Sequence, residues 1–172
     1  HALRVYGDLD ILVPDAATAQ RRLIAAGFIE LVDYEIAHQQ HPLMWRGMKL
    51  LIEVHNFPSW LRWMTPPSNE RLFEMATPSA TGVCGIDTLP CMEHALLMAA
   101  HSWRHTPLRR LIDLVDVAVM AEGIDAACLS ELAAEWGLGP VWSTTTSTIE
   151  ALFLDPSRRS APLRTWARHL PA

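Results

Sequence analysis

Lysine is almost missing from this sequence, since Lys49 is the single lysine and arginine supplies the other basic residues. Acidic residues number 19 and basic residues 14, which gives a formal net charge of −5. No basic tail or run is present to bind nucleic acid phosphates without sequence preference. Nucleic acid is therefore not indicated as a partner.

Long apolar runs are missing too. No stretch approaches the ~20 apolar residues that a membrane span needs, and the N-terminus lacks the pattern of a signal peptide. Half of the residues are nevertheless hydrophobic and 19% are charged, a balance typical of a folded globular protein. We expect a cytoplasmic protein with no membrane partner.

Paired cysteines are a third absence. Cys84, Cys91 and Cys128 are odd in number and form no C-x-x-C pair, which argues against a disulfide framework and against a thiolate zinc site. We interpret them as small buried apolar side chains.

Two aspartates mark the first predicted strand, residues 3–13. Side chains alternate along a strand, so we expect Asp8 and Asp10 to project from one face while Leu9 and Ile11 point into the core. Two carboxylates one strand-step apart repel each other unless a cation lies between them, and Mg²⁺ takes oxygen ligands. A strand edge with two solvated aspartates is the alternative explanation of the same pattern.

The next segments predict a helix over residues 16–26, a strand over 28–33 and a hairpin that turns at Gly47. The polar loop before the hairpin contains His38 and His41. We interpret both as solvated loop histidines, because their surroundings are glutamine-rich and irregular.

In the second arm of this hairpin, Leu51, Glu53 and His55 share one strand face. A glutamate within an apolar strand is costly to bury without a partner, and a solvent-facing position on an antiparallel sheet would also explain it. Beside Asp8 and Asp10, Glu53 would supply the third carboxylate of a two-metal phosphoryl-transfer centre.

The motifs that matter most are Arg4-x-x-x-Asp8-Leu9-Asp10-Ile11-Leu12-Val13, Ala26-Gly27-Phe28, Ile52-Glu53-Val54-His55, Ala100-His101 and Leu111-Ile112-Asp113-Leu114. Together they resemble the uncharacterised nucleotidyltransferase family of the DNA polymerase β-like superfamily. The Gly-Ser or Gly-Gly turn that grips nucleotide phosphates in that superfamily is missing from this sequence. If the resemblance holds, the missing turn implies that the chain is either a fragment or a degenerate member of the family.

The resemblance implies an α+β fold in two domains. Residues 1–89 would form a nucleotidyltransferase-like core, with a small mixed β-sheet, a flanking helix and a missing N-terminal element. Residues 90–172 would form an α-helical bundle, for which the sequence predicts helices over 92–105, 108–122, 126–136 and 140–154. The apolar stripe predicted for the second of these helices consists of Leu111, Leu114, Val115, Ala118 and Val119.

The resemblance also implies an activity, the transfer of a nucleoside monophosphate from a nucleoside triphosphate to an unknown acceptor, possibly a protein or a small molecule. Two Mg²⁺ ions would be held by Asp8, Asp10 and Glu53, which are also the expected catalytic residues. Arg4, Lys49 and His101 are the expected contacts to the nucleotide.

Three alternatives remain open at this level. One is a catalytically inactive binding or antitoxin-type protein on the same scaffold, which the missing turn makes credible. Another is a zinc-dependent hydrolase that uses His101 and His105, one helical turn apart. The third is an unrelated α+β domain, in which Glu53 would lie far from Asp8 and Asp10.

Overall fold

The computed structural model describes residues 7–31, 37–105, 107–108 and 110–168. It contains two compact units, His1–Ser59 and Trp60–Ala172. The predicted α+β class, a small mixed sheet followed by helices, is confirmed. The domain boundary between residues 89 and 90 stays a prediction, because compactness alone does not define a domain. None of the described helices combines the length and the apolar composition that a membrane span requires.

The first unit is built on a four-stranded sheet with one helix. Its elements are β1 (Asp8–Leu12), α1 (Ala16–Ala25), β2 (Ile29–Glu30), β3 (Leu43–Met44) and β4 (Leu51–His55). The strand order is β1-β4-β3-β2, with β4 parallel to β1 and antiparallel to β3. The expected hairpin is therefore β3–β4, and Gly47 in its connection has a φ of +86°, which glycine adopts at little cost.

The core of this unit lies between α1 and one face of the sheet. Ala16 of α1, Leu43 of β3 and Val54 of β4 form its buried cluster, with Ile52 packed against it. Since Ile52 and Val54 face this core, the residues between them in β4 face the other way. The packing of α1 thus decides which face of the sheet presents polar groups.

The expectations for Leu9 and His41 in this unit are wrong. Leu9 is 48% exposed, because β1 is an edge strand among the described residues and has no neighbour on its outer side. Gln20 of α1 is buried, and its amide donates hydrogen bonds to the Glu30 carboxylate and the His41 carbonyl. His41 is half-buried beside Glu30, not freely solvated as expected.

The second unit is mainly helical. Its elements are α2 (Asn69–Met75), β5 (Thr77–Pro78), β6 (Asp87–Thr88), α3 (Cys91–His105), α4 (Leu111–Met120), α5 (Ala126–Glu135), α6 (Gly139–Ile149), a π-helical turn (Glu150–Leu154), a 3-10 turn (Pro156–Arg158) and α7 (Ala161–Arg168). The four helices expected after residue 90 are present, the last continuing into the π-helical turn. Strands β5 and β6 form a separate antiparallel pair.

The buried face of α4 differs from the predicted stripe. Leu114 and Val117 are buried, whereas Val119 is 62% exposed and Leu111 and Val115 are also exposed. Asp113 lies on the inner side, where its carboxylate accepts a hydrogen bond from Ser102 of α3. The buried face of α4 is therefore not its most apolar face, and it includes a polar contact to α3.

The three cysteines are exposed, not buried as expected. Cys84 lies in the turn between β5 and β6, while Cys91 and Cys128 lie in the first turns of α3 and α5. The ends of helices and tight turns usually lie at the surface, because their unpaired backbone groups need water or capping side chains as hydrogen-bond partners.

Acid should destabilise the helical unit through His94. Burial lowers the pKa of the His94 imidazole. Below about pH 6.5 the unfolded chain therefore binds a proton at this histidine more readily than the folded chain does. We expect the free energy of unfolding to fall more steeply between neutral and mildly acidic pH in wild type than in His94→Gln. Urea unfolding at several pH values measures this, and equal slopes for the two proteins would contradict it.

Candidate metal centre

The register of the parallel strands brings two of the predicted carboxylates together. In the β1–β4 ladder Asp10 is paired with Glu53. Paired residues of neighbouring strands point to the same face, and this face is the one turned away from the core under α1. Two side chains separated by 43 positions in the sequence thus become direct neighbours on rigid backbone.

His55 completes a compact group with these carboxylates. One potential ligand atom from each of Asp10, Glu53 and His55 lies within 4.8 Å of the other two. The imidazole Nε2 of His55 is 2.8 Å from Oδ1 of Asp10. The three differ in burial, since Asp10 is exposed, Glu53 is half-buried and His55 is buried.

Segment 38–40 pairs with the end of β4 on the edge opposite β1. The Gln40 amide donates to the Val54 carbonyl at 2.8 Å, and the Asn56 amide donates to the His38 carbonyl at 2.8 Å. This pairing places the buried Gln39 beside the centre, where its Nε2 donates to Oε2 of Glu53 at 2.9 Å. Glu53 therefore has the buried partner that its position in the strand requires.

The His38 ring stacks on the His55 ring, with centroids 5.6 Å apart and planes inclined by 25°. His38 is half-buried, so the expectation of a solvated loop histidine is wrong. The stack packs His38 against an imidazole of the candidate centre.

The electrostatics of the centre favour a cation. Partial burial raises the pKa of the Glu53 carboxyl, the hydrogen bond from Gln39 opposes this rise, and the negative charges of Asp10 and Asp8 add to it. A positive ion beside these oxygens would remove the repulsion, and carboxylates are the ligands that Mg²⁺ prefers. The donor set therefore fits a divalent cation.

The remaining predicted site residues have different outcomes. Asp8 is exposed on β1, and its charge acts on Glu53, but it lies outside the compact three-residue group. Lys49 is exposed just before β4. His101 lies on α3 beside His105, with ring centroids 4.6 Å apart. Arg4 lies outside the described residues.

The geometry argues against two of the open alternatives. An unrelated α+β domain would separate Glu53 from Asp10, yet their oxygens lie within 4.8 Å. His101 and His105 belong to no cluster of three metal-ligand side chains among the residues that the structure describes. The roles of Asp8, Lys49 and His101 stay predictions.

Sequence reasoning missed His55 and Gln39 as parts of the site. The signal for His55 was available, since His55 shares a strand face with Glu53. No comparable signal exists for Gln39, because its place depends on how segment 38–40 pairs with β4.

A family model described as "Uncharacterised nucleotidyltransferase" matches residues 1–153 of the 172. A search of curated proteins found no match, and neither did a search of solved structures.

Replacing Gln39 with leucine tests how the centre is supported. The variant removes the hydrogen bond that lowers the pKa of Glu53, so we expect that pKa to rise. We also expect a loss of about 1 kcal/mol in unfolding free energy, because a half-buried acceptor loses its partner. Carboxyl ¹³C NMR titration and urea unfolding measure the two effects.

Gln40→Leu is the matched control, since the Gln40 side chain donates to Asn56 at 3.3 Å and not to a carboxylate. A Glu53 pKa that rises equally in both variants would contradict a specific role for Gln39.

Proposed function

The chain belongs to the family of uncharacterised nucleotidyltransferases, and on that premise we propose that it transfers a nucleoside monophosphate from a nucleoside triphosphate to a hydroxyl-bearing acceptor. The observation that carries this proposal is the pairing of Asp10 with Glu53 across parallel strands. Membership in a nucleotidyltransferase family implies a nucleoside triphosphate as the donor substrate.

In the proposed site Asp8 and Asp10 would hold the Mg²⁺ that accompanies the triphosphate, while Asp10 and Glu53 would hold a second Mg²⁺. Bound Mg²⁺ would neutralise phosphate charge and lower the pKa of a coordinated hydroxyl. The exposure of Asp8 and Asp10 supports a role in binding, because both carboxylates are open to a ligand from solvent.

Glu53 has the properties of a proton acceptor. Glu53 lies beside Asp10 in the sheet, and a carboxylate next to a coordinated hydroxyl can accept its proton as a general base. In the proposed reaction the acceptor oxygen forms a bond to the α-phosphorus and its proton passes to Glu53. The bond from the α-phosphorus to the bridging oxygen breaks, and pyrophosphate leaves. Lys49 and Arg4 would contact phosphate oxygens, and His101 the nucleotide or acceptor.

Asp10→Asn should abolish activity. The substitution removes the negative charge but keeps the size of the side chain, so it weakens the proposed cation site without a large change in packing. Losing several kcal/mol of transition-state stabilisation lowers the rate by at least about a hundredfold. Pyrophosphate release from each nucleoside triphosphate, with Mg²⁺ present and glycerol as a general hydroxyl acceptor, is the measurement.

Glu30→Gln is the control, because Glu30 is an acidic residue of β2 in the same sheet and belongs to the contacts of Gln20 and His41. We expect its activity to match wild type. Full activity in Asp10→Asn would overturn the proposal. Mg²⁺-dependent binding of triphosphate by wild type, with no pyrophosphate released, would instead favour the inactive binding protein.

A further inference from the structure

His55 is the most deeply buried of the three residues in the candidate centre. Only 8% of the residue is exposed, whereas about half of the Asp10 side chain is exposed. The 2.8 Å separation between Nε2 of His55 and Oδ1 of Asp10 suits a hydrogen bond to a carboxylate. It equally suits two atoms bound to one metal ion, so this distance alone does not assign the role of His55.

The other ring nitrogen decides between these roles. Nδ1 of His55 is buried and has no hydrogen-bond partner among the described residues. If Nε2 were bare and bound to a metal, a neutral imidazole would carry its proton on Nδ1, and a buried N–H would be unpaired. A histidine that binds a metal almost always donates its second N–H to an acceptor.

We infer that His55 is a positioning residue: its Nε2–H donates to Oδ1 of Asp10 and orients that carboxylate toward a metal ion, without being a ligand itself. In this tautomer the proton lies where an acceptor exists, and the buried Nδ1 carries none. The inference rests on the proposed function only for the role of Asp10 as a metal ligand.

The surroundings of His55 suit a fixed donor. β4 holds its backbone in the ladder with β1, where it pairs with Leu12, and the His38 ring stacks on its imidazole. Glu53 receives the same kind of support, since the buried Gln39 donates to it at 2.9 Å. Each carboxylate of the pair thus accepts a hydrogen bond from a buried side chain, and the bridge between Gln39 and His55 places the two donors side by side.

Long-range ¹H–¹⁵N NMR of the metal-free protein at neutral pH tests the tautomer directly. We expect the His55 ring, assigned by the loss of its signals in His55→Gln, to carry a proton on Nε2 and none on Nδ1. A proton on Nδ1 would overturn the inference, whatever the metal-binding result.

Mn²⁺ serves as a paramagnetic probe for the metal. We expect electron spin-echo spectra of the Mn²⁺-bound wild type to show no coupling to a directly bound ¹⁴N nucleus. We also expect His55→Leu to weaken Mn²⁺ binding by about tenfold or more, the usual effect of removing a hydrogen-bond partner of a metal ligand. His55→Gln, which keeps an N–H donor on a side chain of similar reach, should restore most of this affinity.

His41→Gln is the matched control, because His41 lies 3.6 Å from Glu30, a carboxylate outside the candidate centre. Its Mn²⁺ affinity should equal that of wild type. Coupling to a bound ¹⁴N that disappears in His55→Gln would overturn the inference and leave the proposed function standing. Failure of wild type to bind Mn²⁺ would overturn the proposed function and the positioning role together.

Discussion

Parallel pairing of β1 with β4 is the constraint on which the candidate centre depends. It sets Asp10 opposite Glu53, and their backbone positions cannot separate without breaking the strand pairing. The pairing requires a crossover between the two strands, and α1 and the β2–β3 pair lie within that crossover. The buried cluster of Ala16, Leu43 and Val54 then fixes which face of the sheet is polar. Apolar packing on one face therefore holds like charges together on the other.

Buried donors limit the cost of this arrangement. Gln39 and His55 each lie within hydrogen-bonding distance of one carboxylate, yet repulsion and partial burial still raise the pKa of Glu53. Hydrogen bonds orient the acids without cancelling their charge, so an attraction for cations remains. The repulsion that helps to raise the pKa of Glu53 would favour a divalent cation beside these carboxylates.

The sequence predicted the local parts of this site and not their assembly. Alternation along a strand placed Asp8 with Asp10, and the position of Glu53 within an apolar strand identified the third carboxylate. The direction and register of β4 became visible only in the sheet. Gln39 reaches Glu53 through pairing of an irregular segment, which has no periodic signal. On α4 the apolar pattern misidentified the buried face, because a hydrogen bond from Ser102 to Asp113 draws a polar residue inward. Local propensity thus predicted the helices and strands, while strand pairing, apolar packing and long-range hydrogen bonds decided which side chains of these elements meet.

Crystals soaked with Mn²⁺ and a non-hydrolysable nucleoside triphosphate, measured at the manganese absorption edge, would test the central claim most directly. An anomalous peak within coordination distance of carboxylate oxygens of both Asp10 and Glu53 is the predicted result. Strong anomalous peaks at other sites, with none beside these two carboxylates, would contradict it.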